Sequence, residues 1–331
     1  MTNAAGTYPC DMHCHTVRSD GNDSPLELIL NAAALHMQAV GLTDHDIDPP
    51  VKIVGPDGVE TDIVPLARRH GIDLIPGYEF SCDTHVDDVH ICGYGLDWRH
   101  ADLRAEVEAA KRSKSRAYEE LCIRLTERNM PVDWENDVLV YRDSNGLAAR
   151  RDPDEVQRKH IFEAMAARGH AKTWSDAKIM VRDNPDLNVP RRKIDPLEAI
   201  ALIHRCGGLA VLAHPYLIDE RVKTPGQAVR TRGQYIERLL DFGEPARAAA
   251  GLDGIEACYT YDKTSYKGTL SPEQIEREVR ATYAGRVKFF SGGSDYHADH
   301  KKSAKNVRLL GERGIGIEEF GLFKACLKGK P

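Results

Sequence analysis

No window of this 331-residue sequence approaches the roughly 20 consecutive apolar residues needed to span a bilayer. The opening MTNAAGTYPC also lacks a charged segment followed by an apolar one, so the chain reads as cytoplasmic, with no membrane partner. A basic excess is missing as well: 45 Lys and Arg face 51 Asp and Glu, for a net charge of -6. Proteins that hold a nucleic-acid polymer cluster positive charge, so this balance argues against such a partner and leaves small anionic substrates open. Paired cysteines at zinc-ribbon spacing are absent, because Cys10 and Cys14 form the one close pair and no second pair follows. The eight scattered cysteines read as buried free thiols of a reducing compartment. Low-complexity tracts and internal repeats are lacking too. A composition of 41% hydrophobic and 29% charged residues fits a folded chain with a substantial core.

What is present is a recurring alternation of short apolar runs and helical patterns. Strands are predicted at Pro9–His15, Gln38–Thr43, Ile72–Pro76, Val89–Tyr94, Gly208–Ala213, Asp253–Cys258 and Val287–Ser291. Helix starts between them are marked by Ser24-Pro25-Leu26-Glu27, Asp195-Pro196-Leu197-Glu198 and Ser271-Pro272-Glu273-Gln274, each with a cap residue followed by proline. Strands alternating with helices imply an α/β fold with a mainly parallel sheet, and seven of them suggest a closed or nearly closed barrel. Residues 101–190 carry charged helical stretches and no convincing core strand. They are expected to form a mostly helical insertion after the fourth strand of a single domain spanning 1–331. Charge is balanced over residues 101–200, so the acidic excess lies elsewhere.

The unusual residues fall where these strands end. In an extended Cys10–His15 segment, Asp11, His13 and His15 project to one side while Cys10, Met12 and Cys14 project to the other. Asp20 follows. Asp44, His45 and Asp46 close the second strand in GLTDHD, Glu79 follows the third, His90 lies in the fourth, His214 ends the fifth, and Asp295 and His297 follow the seventh. Each alone reads as a turn residue or a solvated acid. Together they place six imidazoles and several carboxylates at one end of separate strands, in a chain with 14 histidines. The C-terminal strand ends of an α/β barrel form one mouth, so residues far apart in sequence converge there on one cavity. Mixed imidazole and carboxylate ligands suit Mn²⁺, Zn²⁺ or Fe²⁺, with Mn²⁺ favoured by the carboxylate share. The number of candidate ligands exceeds the need of one ion and suffices for two or three.

The motifs DMHCHTVRSDG, GLTDHD, GYE, VHICGYG, LAHP and GSDYH, in this order, resemble those of the PHP superfamily of metal-dependent phosphoesterases. That resemblance implies a distorted (β/α)7 barrel and a di- or trinuclear metal centre. By motif, one ion is held by His13, His15, Glu79 and Asp295, a second by Glu79, His90 and His214, and a third by Asp20, His45 and His297. The QRKHI stretch resembles an Arg-X-His motif that contacts substrate phosphate, which transfers to Arg158 and His160. Glu79 is then the bridging catalytic carboxylate, and His297 or Asp46 the proton donor. The insertion followed by HRCGGLAVLAHP resembles the subgroup acting on small phosphorylated nucleosides and sugars. Departures from its nucleotide-specific members at IDPPVKIVGPDGVETDIVP and after GIEACYTYDKTSY favour hydrolysis of 5-phosphoribose 1,2-cyclic phosphate, ring opening first and monoester second, as in phosphonate breakdown. A nucleoside 3',5'-bisphosphate 3'-phosphatase is the alternative. A metal-dependent amidohydrolase and a non-catalytic domain are further readings, and the oligomeric state stays open.

Overall fold

Apolar runs short enough for strands and spaced by helices form one sheet in the computed structural model, which describes residues 7–82, 86, 88–142, 147–223, 230–241, 251–302 and 306–328. Its seven strands are β1 (Cys10–Cys14), β2 (Ala39–Leu42), β3 (Asp73–Ser81), β4 (His90–Tyr94), β5 (Leu209–Leu212), β6 (Gly254–Cys258) and β7 (Phe289–Gly292), and they neighbour one another in chain order. A parallel bridge between Cys14 and Tyr296 brings the last strand's end back to the first. The His15 N–H donates to the Tyr296 carbonyl at 2.8 Å. The result is a distorted (β/α)7 barrel.

The distortion lies in β3 and β4. The predicted third strand ends at Pro76, yet β3 continues to Ser81 by changing partners. Asp73–Pro76 pair in parallel with Ala39–Leu42 of β2, while Gly77–Ser81 pair antiparallel with His90–Tyr94 of β4. Proline has no N–H to give a ladder, and the exchange of neighbours occurs at that residue. β4 is antiparallel to both β3 and β5, whereas the sequence reading expected a mainly parallel sheet. The cause is the connection 82–89, which is too short for the crossover that a parallel neighbour requires. This reversal matters for the site, because it sets the N-terminal end of β4 beside the C-terminal ends of the other strands.

The marked helix starts form as their chemistry dictates. Ser24 and Glu27 make a capping box at helix Pro25–Ala34, with Ser24 N donating to Glu27 Oε2 at 2.7 Å and Glu27 N to Ser24 Oγ at 3.2 Å. Asp195 accepts from the N–H groups of Leu197 and Glu198 at helix Pro196–Arg205, and Ser271 with Gln274 caps helix Pro272–Tyr283. Each satisfies N–H groups that a helix start leaves orphaned. The 47–65 segment adds a small antiparallel hairpin, Lys52–Val54 with Glu60–Asp62. Buried Met12, Tyr94, Val211, Phe289, Phe320 and Phe323 belong to one apolar cluster of the barrel, and Leu28, Val40, Leu74 and Tyr296 to another.

The chain divides into two compact units. The first comprises residues 1–17, 21–104 and 193–331; the second comprises 18–20 and 105–192. Within the second, most of helix Ala101–Glu127 and helices Arg158–Ala167 and Trp174–Arg182 surround an apolar core that includes Leu121, Leu125, Leu139, Ile161, Phe162 and Met165. The sequence reading of this region held no core strand, and the strands found there, Val140–Arg142 and Ala148–Arg150, form a separate two-stranded hairpin.

Candidate metal centre

Glu79 is the centre of the barrel's mouth. It lies inside β3 rather than after it, on the half paired with β4, and its side chain is buried. Its two oxygens meet five imidazole nitrogens. Oε2 is 3.1 Å from His13 Nε2, 3.2 Å from His15 Nε2 and 3.1 Å from His45 Nδ1; Oε1 is 2.9 Å from His90 Nδ1 and 3.2 Å from His214 Nε2. His13 comes from β1, His15 from the residue after it, His45 from the turn after β2, and His214 from just beyond β5. His90 opens β4, and only the reversed strand brings it to this end.

Asp295 completes one side. Its Oδ1 lies 3.0 Å from His15 Nε2 and 3.6 Å from His13 Nε2, while the backbone carbonyl of Asp295 lies 2.8 Å from His297 Nδ1. Donor atoms of His15, His45 and His297 lie within 4.8 Å of one another, as do those of His13, His15 and Asp295, and of His45, Glu79 and His90. Three of the site's residues, Asp46, His214 and Asp295, have left-handed backbones with φ of 52°, 30° and 52°. Each costs about 1–3 kcal/mol for a residue with a Cβ, and such outliers gather where a side chain must be aimed. Gly293 serves the same packing by its lack of a side chain. A Cβ there would stand 2.3 Å from the His13 Cβ and 2.6 Å from its backbone nitrogen.

The donor set fits divalent cations better than it fits hydrogen bonding alone. A carboxylate offers about four lone-pair sites, and five protonated imidazoles converging on one carboxylate leave a large uncompensated positive charge. Imidazole lone pairs directed at cations among them remove both conflicts. Burial alone would raise the Glu79 carboxyl, but His45, His13 and His90 hold it well below the usual carboxylate range. Burial likewise opposes the ionised form of Asp295, and Arg308, His297 and His13 overcome it. Both acids are therefore anionic and able to hold a metal.

The other expected residues make the following contacts. Asp44 accepts from Thr16 N and Thr16 Oγ1, both at 2.7 Å, tying the turn after β2 to the end of β1. One oxygen of Asp46 accepts from the Ser81 N–H at 3.0 Å. Asp11 is committed to structure, accepting from Ser294 N at 3.0 Å, Ser294 Oγ at 2.5 Å and Gly311 N at 2.9 Å. Asp20, Arg158 and His160 belong to the second unit. There the Asp20 carbonyl accepts from Lys159 Nζ at 2.6 Å, Arg158 begins helix Arg158–Ala167, and His160 Nδ1 accepts from the Gln157 N–H at 3.0 Å as part of that helix's cap.

Sequence reasoning missed Glu256. It sits on β6, buried, with Oε1 3.2 Å from His13 Nδ1 and Oε2 accepting from the His214 N–H at 2.7 Å. A carboxylate behind one ring nitrogen fixes the proton there and turns the other nitrogen's lone pair toward the centre. The available signal was a lone acid within the apolar run GIEAC. Cys92 was also read only as a buried thiol. It pairs with Glu79 across β3 and β4, and its sulfur lies in a group with His13 and Glu79; burial pushes its thiol well above the usual range.

The family model for the PHP domain matches residues 11–150. A 5'-3' exoribonuclease of Haemophilus influenzae is 30% identical over 88% of this chain and 90% of its own length. The chain belongs to the PHP family. It is accordingly a metal-dependent phosphoesterase, a phosphoric ester hydrolase. A 3',5'-nucleoside bisphosphate phosphatase of Chromobacterium violaceum is 28% identical over 87% of each chain. A phosphoribosyl 1,2-cyclic phosphate 1,2-diphosphodiesterase of Eggerthella lenta is 24% identical over 87% of this chain and 93% of its own. Among the described residues no helix is long and apolar enough to cross a membrane.

Proposed function

We propose that this PHP-family chain hydrolyses a phosphate ester of a small phosphorylated ribose compound at a centre of two or three divalent ions, with Mn²⁺ preferred over Zn²⁺ or Fe²⁺. The observation that carries the reading is the convergence of five imidazoles on the two oxygens of Glu79. Ions bound there supply a lowered pKa for water, from about 15.7 toward about 7, and neutralise phosphate oxygens. His13, His15 and Asp295 hold one ion, His90 and His214 a second, and Glu79 bridges them. His45 and His297 hold the third. Arg158 and His160 contact substrate phosphate. His297 or Asp46 is the proton donor to the leaving oxygen; His297 Nδ1 lies against the Asp295 carbonyl and one Asp46 oxygen accepts from the Ser81 N–H. The chain acts as one catalytic domain, with residues 101–190 as a helical insertion, in the cytoplasm, where its eight free cysteines stay reduced.

A nucleoside 3',5'-bisphosphate is the first substrate to test, because the relative named for that activity is more similar than the one named for the cyclic phosphate. 5-Phosphoribose 1,2-cyclic phosphate is the second reading, and it rests on the departures at residues 47–65 and after Tyr266. The exoribonuclease relative makes a short 5'-phosphorylated RNA the third arm, against the expectation that a polymer is not bound. Phosphorus NMR with the Mn²⁺-loaded protein reads all three. Release of the 3'-phosphate from adenosine 3',5'-bisphosphate with the highest kcat/KM is expected; ring opening as the faster reaction selects the second reading, and stepwise shortening of RNA selects the third. No turnover of any phosphate ester overturns the proposal.

A further inference from the structure

Asp295 has two oxygens with opposite duties. Oδ1 faces the imidazoles of His15 and His13 at 3.0 Å and 3.6 Å. Oδ2 is turned away from them and accepts from Arg308 Nη1 at 2.5 Å and from the Tyr259 hydroxyl at 2.7 Å. The guanidinium is itself anchored, since Arg308 Nε donates to Asp299 Oδ2 at 3.1 Å. Tyr259 is buried, and the Arg308 side chain is only 17% exposed. None of these contacts was visible in the sequence, where Arg308 sits in an unremarkable polar stretch.

We infer that Arg308, assisted by Tyr259, is a positioning residue that holds one oxygen of Asp295 so that the other is presented to the ion beside His13 and His15. The inference rests on the reading of Asp295 as a ligand. A carboxylate's terminal torsion is broad and roughly two-fold, so an untethered Asp295 exchanges its oxygens freely. The left-handed backbone at Asp295, φ 52°, aims the side chain but does not fix that torsion. A guanidinium anchored on a second carboxylate does fix it, because its planar fork sets direction as well as distance.

The arrangement also carries an opposing effect that makes the inference testable. Arg308 is a cation next to a cation site, and Coulomb repulsion alone predicts that removing it tightens metal binding. Positioning predicts the reverse. Groups that orient a ligand from behind are worth about 10–100-fold in metal affinity, and a charge-assisted contact is roughly twice as strong as a neutral one. Arg308 therefore outweighs Tyr259.

The test is Mn²⁺ binding by equilibrium dialysis with elemental analysis, run on the full chain beside its thermal midpoint. Arg308→Ala is expected to weaken the tightest site about 10–100-fold, Arg308→Lys to recover part of that loss, and Tyr259→Phe to lose less. kcat should fall more than KM rises in each. Asp295→Asn is the control for the ligand reading. If it keeps full Mn²⁺ affinity, Asp295 is no ligand and that reading fails. If Asp295→Asn loses metal while folded Arg308→Ala binds as tightly as the parent or more tightly, the ligand reading stands and the positioning role is overturned. Should Arg308→Ala fail to fold, Arg308→Lys and Tyr259→Phe decide, and unchanged affinity in both overturns the inference.

Discussion

The two ends of the barrel use the same residue types for different ends. At the mouth, one carboxylate, Glu79, faces five imidazoles. At the opposite end, Asp253, just before β6, meets one imidazole and one ammonium: Oδ2 lies 2.8 Å from His204 Nε2 and accepts from Ala210 N at 2.8 Å, and Oδ1 accepts from Lys288 Nζ at 2.6 Å. Lys324 and Asp73 form a further ion pair at that end. The floor is saturated, with about as many donors as its acceptor sites can take. The mouth is over-supplied with nitrogen, and that surplus is what distinguishes a place for cations from a place for stability.

The comparison breaks most sharply if Glu79 proves structural. Glu79→Gln keeps the shape and removes the charge that bridges the imidazoles. Phosphate-ester turnover should fall at least about 100-fold with loss of Mn²⁺, while the metal-free thermal midpoint stays within a few degrees. A midpoint that collapses without metal would place Glu79 with Asp253 as a fold-holding acid.

Gly293→Ala attacks the mouth through packing alone. Its new Cβ meets His13 at 2.3 Å, so β1 and the end of β7 must separate. Overpacking of this kind costs about 1–3 kcal/mol, and His13 moves relative to Glu79. Activity at saturating Mn²⁺ should fall about 10-fold or more, consistent with the sensitivity of aligned groups to small displacements. Unchanged activity would show that His13 placement is not critical.

Much of this contrast is legible in the sequence, for reasons that can be named. His13, His15, His45, His214, Asp295 and His297 are legible as a group because strand ends are readable from apolar runs and an α/β barrel gathers those ends, whereas Glu79 inside β3 and His90 at the start of β4 join them through the reversal of β4. The direction of β4 was not found, since VHICGYG reads the same either way; the short connection 82–89 was the overlooked signal. The extension of β3 past Pro76 escaped because proline is ordinarily a strand breaker, and only a change of neighbours lets the strand continue. Glu256, Tyr259 and Arg308 act through contacts between segments distant in sequence. No local periodicity encodes such pairs, and Asp253 at the floor was unmarked for the same reason.

Asp253→Asn is the counterpart of Glu79→Gln and should invert its result. Removing one member of a buried charge pair typically costs about 3–5 kcal/mol. Lys288 is about half exposed, with 52% of its side chain accessible, so screening reduces its share, and a loss of about 2 kcal/mol in urea unfolding is expected. Specific activity and Mn²⁺ content of the folded fraction should match the parent. A loss of metal instead would mean that the two ends are coupled.

The smallest effect is the pH dependence of that same floor. Burial opposes ionisation of Asp253, but the contacts with His204, Lys288 and the Ala210 N–H outweigh it and hold its carboxyl well below the usual range. An unfolded aspartate titrates near about 3.9, so the folded state binds fewer protons than the unfolded state between the two values. Stability from this group is therefore fully present above about pH 4 and is lost as pH falls through the folded value. The parent should lose stability with decreasing pH below about 4, and Asp253→Asn should show a shallower slope over the same interval, because the group that titrates is gone. His204 separates this from the mouth: it does not touch Glu79's cluster, so the difference between parent and variant should persist in metal-free protein. Equal slopes in urea unfolding at pH 3–4 would mean that Asp253 is not held ionised, and the floor would then owe its stability to packing rather than to a saturated carboxylate.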